Sequence, residues 1–327
     1  MIQDSVYGTI MRSLGFLSRF HRHRNGLVLC LHSVTESECE VANFGAMAIR
    51  CEFLERMIVD LRRRGIALVS LSEALKLATG SPRPFIALTF DDGYRDNYEV
   101  AYPILKKFDV PFAIFLTTGL IDRTLPMWWH VLEHVIDRNV SIEYEDVKLV
   151  SRTKRAKAIA YRLISEYFRH LDQCDVISAI DALIAKNDSR LTRADAFNQA
   201  LDWNMIREMA GSGLVTFGGH TVSHPLLRQL DRTSLVAEIG GCRHPAFRSG
   251  GHRTGLFCLS PSGKTARSAH WPRLSLKKPV SPRPSRHMRA SLDRPISSIP
   301  FICRVSCCPG KLRANGLSAP TTPDFRQ

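Results

Sequence analysis

The chain has no apolar run long enough to cross a bilayer. Its first twenty residues, Met1 to Phe20, are broken by Asp4, Arg12 and Arg19, so they also lack the continuous apolar stretch of a secretory signal. Their weakly amphipathic pattern suits a helix over residues 1–26 that packs on the domain or rests on a membrane surface, and the expectation is a cytoplasmic protein without a transmembrane segment. The nine cysteines, at Cys30, Cys39, Cys51, Cys174, Cys242, Cys258, Cys303, Cys307 and Cys308, never fall into the paired spacing of a zinc ribbon. An odd total without a secretory signal fits a reducing compartment better than a disulfide scaffold. Glutamate is missing altogether from residues 241–327.

That last absence marks a division of the chain. The net charge of +14 would suggest nucleic acid or an anionic surface as partner, yet residues 1–240 hold 29 basic and 29 acidic side chains and are neutral. The excess lies in residues 241–327, with 16 Lys and Arg against Asp293 and Asp324. The basic run from Arg283 to Arg294 offers electrostatic attraction to nucleic acid but belongs to no recognisable binding module, so no nucleic-acid partner is expected. Eleven of the 17 prolines also fall in this last part, and no strand–helix period is found there. Two readings stand for residues 240–327: a disordered basic tail rich in Pro, Arg and Ser, or the product of a frame other than the one that encoded the first 240 residues. The genetic code permits the second, since Cys258-Leu259-Ser260 written TGC-CTA-TCC reads, one base on, GCC-TAT-CC, which begins Ala-Tyr-Pro.

What is present is a parallel βα grammar. At 327 residues and 44% hydrophobic content the chain can bury one large core or two smaller ones. Between 27 and 120, short apolar runs alternate with helical patterns. Strands are expected at Leu27–Leu31, Ala67–Leu71, Phe85–Phe90 and Pro111–Leu116, with helices at Phe53–Arg64, Glu73–Ala78 (capped by Ser72 and closed by Gly80) and Asn97–Phe108. Residues 127–210 read as a mostly helical insert, clearest from Lys154 to Leu171, before a strand at Leu214–Gly218. The expected class is α/β, a parallel βα barrel that carries this insert.

Two short segments carry the chemistry. Thr89-Phe90-Asp91-Asp92-Gly93-Tyr94 ends a strand with two adjacent carboxylates, and His220-Thr221-Val222-Ser223-His224 ends another with two imidazoles. The C-terminal ends of strands are where such barrels keep their active sites. Each segment has a plain alternative, because Asp-Asp-Gly is ordinary turn chemistry and the histidines precede a turn at Pro225. Together they propose a metal site: one carboxylate and two neutral imidazoles hold a divalent ion, and the second carboxylate accepts a proton from water.

These residues resemble the polysaccharide deacetylases with a nodulation-protein-B (NodB) homology domain. Thr89-Phe90-Asp91-Asp92-Gly93 resembles that family's first motif and His220-Thr221-Val222-Ser223-His224 its second, within a resemblance from about Leu27 to Ile239 that takes in Asp96-Asn97-Tyr98 and Pro111 to Gly119. The resemblance implies a deformed (β/α) barrel over residues 27–239, incomplete at its C-terminal end, and metal-dependent removal of acetyl groups from the N-acetylglucosamine units of a chitooligosaccharide or related glycan, with Asp91 as general base and Asp92, His220 and His224 as ligands of zinc, or of cobalt or manganese. Where the family's third motif belongs, the chain has Phe257-Cys258-Leu259-Ser260-Pro261, and His252, His270 and His287 lack the context of the family's general acid. A disabled or frame-shifted relative therefore remains an alternative, as does a deacetylase or deformylase of a lipid- or nucleotide-linked amino sugar. Trp128 and Trp129 are candidates either for sugar stacking or for anchoring the insert, Tyr94 for bordering a groove or for a turn, and His32 for a substrate contact or a structural hydrogen bond.

Overall fold

In the computed structural model the described residues are 26–36, 48–78, 81, 83–171 and 173–242, with the backbone of 302–303. The expected N-terminal helix, Gly80, the segment Phe257–Pro261, His252, His270, His287 and the run Arg283–Arg294 lie outside them.

The elements in chain order are β1 (Gly26–Leu31), β2 (Ser33–Thr35), β3 (Ala48–Arg50), α1 (Cys51–Arg63), β4 (Ala67–Leu68), α2 (Leu71–Leu77), β5 (Phe85–Phe90), a π-helical turn (Asn97–Ala101), α3 (Tyr102–Lys107), β6 (Phe112–Leu116) and α4 (Thr118–Ile121). They continue with α5 (Trp128–Arg138), β7 (Ser141–Tyr144), β8 (Val147–Val150), α6 (Lys154–Phe168), α7 (Gln173–Lys186), α8 (Arg193–Asn198), α9 (Trp203–Gly211), β9 (Val215–Gly219), a 3-10 turn (Leu227–Gln229), α10 (Arg232–Gly241) and β10 (Ile302–Cys303). The main sheet runs β10-β1-β5-β6-β9, with β4 beside the start of β5. Every pairing in it is parallel except that of β10 with β1. The α/β class read from the sequence is thus observed, and among the described residues the path is open between β9 and β10.

Parallel strands are covered on both faces, which is why β5 is buried along its whole length and reads as an apolar run broken only by Thr89. Alternate residues divide between two cores. Leu27, Leu29, Leu31, Ile86, Leu88, Phe90, Phe112 and Ile114 join the main one with α1 and α9, while Val28, Phe85, Ala87, Ala113 and Phe115 meet α2 on the other face. The second face, followed toward the strand ends, runs from Val28 to Cys30 and from Ala87 to Thr89, where it turns polar. A separate core from Val131 to Ala196 holds the inserted helices together.

Three local expectations need correction. The second strand stops at Leu68, and the cap of α2 is Ser70, whose hydroxyl accepts the Glu73 amide at 3.2 Å, rather than Ser72. Leu71 then opens the helix as a buried residue, so the apolar run that looked like strand is shared between two elements. The helix expected over 97–108 begins as a π-helical turn. Pro103 has no N–H to return to the preceding turn, and the widened turn absorbs that missing bond. Finally, the insert contains a hairpin, β7–β8, turned by Glu145 at φ 49°.

Candidate metal centre and its surroundings

The C-terminal ends of β5 and β9 lie on either side of β6, and the two sequence segments meet there. Asp92 Oδ1 stands 3.4 Å from His220 Nε2 and 3.3 Å from His224 Nε2. Among the described residues this oxygen is buried without a hydrogen bond. Two ligands held at about 2.0–2.1 Å around a tetrahedral ion stand roughly 3.3 Å apart, so the triad has the spacing and the oxygen–nitrogen donor set of a divalent-ion site. Burial pushes the Asp92 carboxyl up, but the imidazoles of His224, His32 and His220 together outweigh it and hold it below its ordinary value.

Backbone strain accompanies the triad. Asp92, Thr221 and His224 all have positive φ, at 70°, 73° and 57°. For the β-branched Thr221 this is a costly conformation, of the kind retained where the surroundings over-determine it. Here the surroundings are explicit. Thr118 and Gly119 donate their amides to the carbonyls of Thr221 and Val222 at 3.2 and 2.8 Å, and Thr221 Oγ1 accepts the His224 amide at 3.0 Å. From the other side, Glu238 on α10 accepts the amides of Val222 and Ser223 at 2.8 and 2.9 Å and the Ser223 hydroxyl at 2.6 Å. Nothing in the sequence pattern pointed to Glu238, which lies beyond the histidine motif and belongs to no motif of its own.

Gly119 has a steric reason. A Cβ there would lie 2.6 Å from the Val222 carbonyl and 3.2 Å from Thr124 Oγ1. Gly119→Ala is therefore expected to push the histidine loop off α4, lowering ion affinity by roughly 10–100-fold, the size of effect seen when an outer support of a metal ligand is lost. Competition with a chromogenic chelator measures it.

Asp91 points elsewhere than Asp92. It is buried, its amide donates to Leu31 O at 3.0 Å, and its Oδ2 accepts the Cys30 thiol at 3.2 Å. His32, at the end of β1, is half-buried, and its imidazole is held below its ordinary pKa by burial, partly opposed by Asp92. The backbone around it is pinned from the π-helical turn: Asn97 donates to His32 O at 2.7 Å, and the Ser33 hydroxyl donates to Asp96, whose carboxyl burial raises to about 7.

The two tryptophans separate. Trp128 stacks on Phe168, 5.1 Å between centroids, and so belongs to the insert. Trp129 turns to the site, 5.8 Å from the His224 ring, and its indole N–H donates to the Tyr94 hydroxyl at 2.7 Å. Tyr94 is thereby part of the aromatic wall, and burial keeps its phenol well above its ordinary pKa.

The family model for "Polysaccharide deacetylase" matches residues 78–272. The chain belongs to the polysaccharide deacetylase family. That match runs past Ile239, where the motif resemblance ends, into residues outside those described. The poly-beta-1,6-N-acetyl-D-glucosamine N-deacetylase of Escherichia coli (strain K12) is 26% identical over 149 residues, covering 44% of this chain and 22% of that protein. The chain thus spans about a fifth of the length of that relative. Among solved structures, the Streptococcus pyogenes deacetylase PplD in complex with acetate is similar at 18% identity, with TM-score 0.40 and coverage of 67% of this chain and 66% of that one. IcaB from Ammonifex degensii is similar at 21% identity, with TM-score 0.35 and coverage of 65% and 58%. Among the described residues no helix is long and apolar enough to cross a membrane.

Proposed function

We propose that this polysaccharide deacetylase family member is a metal-dependent hydrolase that removes N-acetyl groups from oligo- or polysaccharides containing N-acetylglucosamine. The observation that carries the reading is a buried carboxylate, Asp91, next to but outside a triad with metal-ligand spacing in which Asp92 and His220 are buried and His224 is open to solvent. Zinc suits one carboxylate and two imidazoles, with cobalt or manganese as alternatives. Bound there, the ion would supply Lewis acidity for an acetamide oxygen and acidify water.

The chain's own groups supply the proton traffic. Asp91 accepts a proton from the attacking water as the water oxygen bonds to the acetyl carbon, and the Cys30 thiol on its Oδ2 orients the carboxylate. When the carbon–nitrogen bond breaks, the sugar nitrogen needs a proton. The proton that Asp91 has taken from the water balances it, passing on to the sugar nitrogen. Acetate and a free amine leave. Trp129, set beside His224 and steadied by Tyr94, offers a flat apolar face to a sugar ring at the mouth.

The test is acetate release from β-1,4- and β-1,6-linked N-acetylglucosamine oligomers by the metal-stripped chain, before and after zinc or cobalt is added. Release that depends on the ion supports the reading, and the linkage preference refines the substrate. A chain that takes up its ion yet frees no acetate from either series would be the disabled relative instead.

A further inference from the structure

A second set of donors stands beside the triad at the end of β1. Cys30 and His32 are two residues apart on an extended strand and project to one face. The register sets Leu31 opposite Phe90, which brings Asp91 to that same face. The Cys30 sulfur, a His32 ring nitrogen and an Asp91 carboxylate oxygen all lie within 4.8 Å of one another. Cys30 and Asp91 are buried, while His32 is half-buried and leaves a way in.

This donor set differs from that of the triad by its sulfur. Thiolate, imidazole and carboxylate together select zinc and softer divalent ions over magnesium or calcium. Sulfur and oxygen ligands around a tetrahedral zinc stand about 3.6 Å apart. The present contact between Cys30 Sγ and Asp91 Oδ2 is 3.2 Å, so a shift of a few tenths of an ångström suffices.

We propose that Cys30, His32 and Asp91 form a second, inhibitory site for a thiophilic divalent cation, adjoining the Asp92–His220–His224 centre. Binding exchanges the thiol proton, which passes to solvent, for the ion, with no change of oxidation state. With both sites filled, two dications face the carboxylates of Asp91 and Asp92 and one thiolate, so the charges nearly balance. The inhibitory part rests on the deacetylase reading: an ion on Asp91 takes away the group that accepts the water's proton and passes it to the amine.

Cadmium titration of the metal-stripped full-length chain tests binding, read by the near-ultraviolet charge-transfer absorbance of cadmium–thiolate bonds. The other cysteines contribute equally to parent and variant, so the difference between parent and Cys30→Ser isolates this sulfur. The expected difference is one thiolate bond per chain, retained when His220→Ala removes the triad. His32→Asn, which leaves the buried strand position of Cys30 untouched, serves as a second variant and should weaken that bond by roughly tenfold or more. In parallel, acetate release by the parent should rise with the first equivalent of zinc and fall with further zinc, whereas Cys30→Ser should reach a plateau. Superimposable cadmium spectra for parent and Cys30→Ser, or the same zinc inhibition midpoint in both, would overturn the proposal. A clear spectral difference with no acetate release at any zinc level would support the second site and count against the deacetylase reading alone.

Discussion

Asp91→Asn, loaded with one equivalent of zinc, is expected to keep the ion of the Asp92–His220–His224 centre and to release acetate about a hundred- to ten-thousandfold more slowly than the parent. The amide has the carboxylate's shape and leaves an oxygen to accept the Cys30 thiol, and the backbone bond from residue 91 to Leu31 O is untouched. What disappears is basicity at the one buried carboxylate that, among the described residues, stands beside the triad without being one of its converging donors. Elemental analysis and acetate release on the same preparation separate the outcomes. An undiminished rate would remove Asp91 from the role of base, and loss of that first equivalent would make it a ligand of the triad's ion.

His220→Ala should give the opposite pattern, with ion content and activity falling together. His220 is buried in the centre, its amide held by Leu116 O at 2.8 Å and its carbonyl by the Thr117 hydroxyl at 3.1 Å, so the shortened side chain leaves the backbone in place and the third donor missing. Affinity should drop by more than the roughly 10–100-fold typical of losing an outer support. Added zinc at high concentration should restore little rate, because two donors do not fix the ion's position. Equal metal content in parent and variant would contradict the assignment.

Much of this centre was legible because strand ends in a parallel sheet collect at one edge. Phe85–Phe90, broken only by Thr89, and Phe112–Leu116 announced themselves as apolar runs, and the carboxylate pair and histidine pair follow strands β5 and β9 that flank a common neighbour. Other features depend on information that local pattern does not hold. Cys30 read only as one of several thiols, and its place beside Asp91 follows from the β1–β5 register across 61 residues of sequence. The hairpin Ser141–Tyr144/Val147–Val150 has four residues in each strand, too few for alternation to stand out within a helical stretch. Ser70 and Ser72 are both plausible caps by composition. The choice fell to Ser70 because Leu71 is buried and its helix had to begin two residues earlier than the polar pattern suggested.

The Glu238 carboxylate, which gathers two amides and a hydroxyl from the loop between His220 and His224, also has a consequence for handling the protein. Helix α10 contributes no buried side chain within its own span, and among the described residues this clasp and the buried Cys242 at its end tie it to the domain. Whatever orders the histidine loop must then order α10 as well, by the same free energy in both directions. Loading the triad with its ion should slow proteolytic cutting around residues 232–242, and a protease ladder becomes a gauge of occupancy that requires neither a substrate nor a colour change.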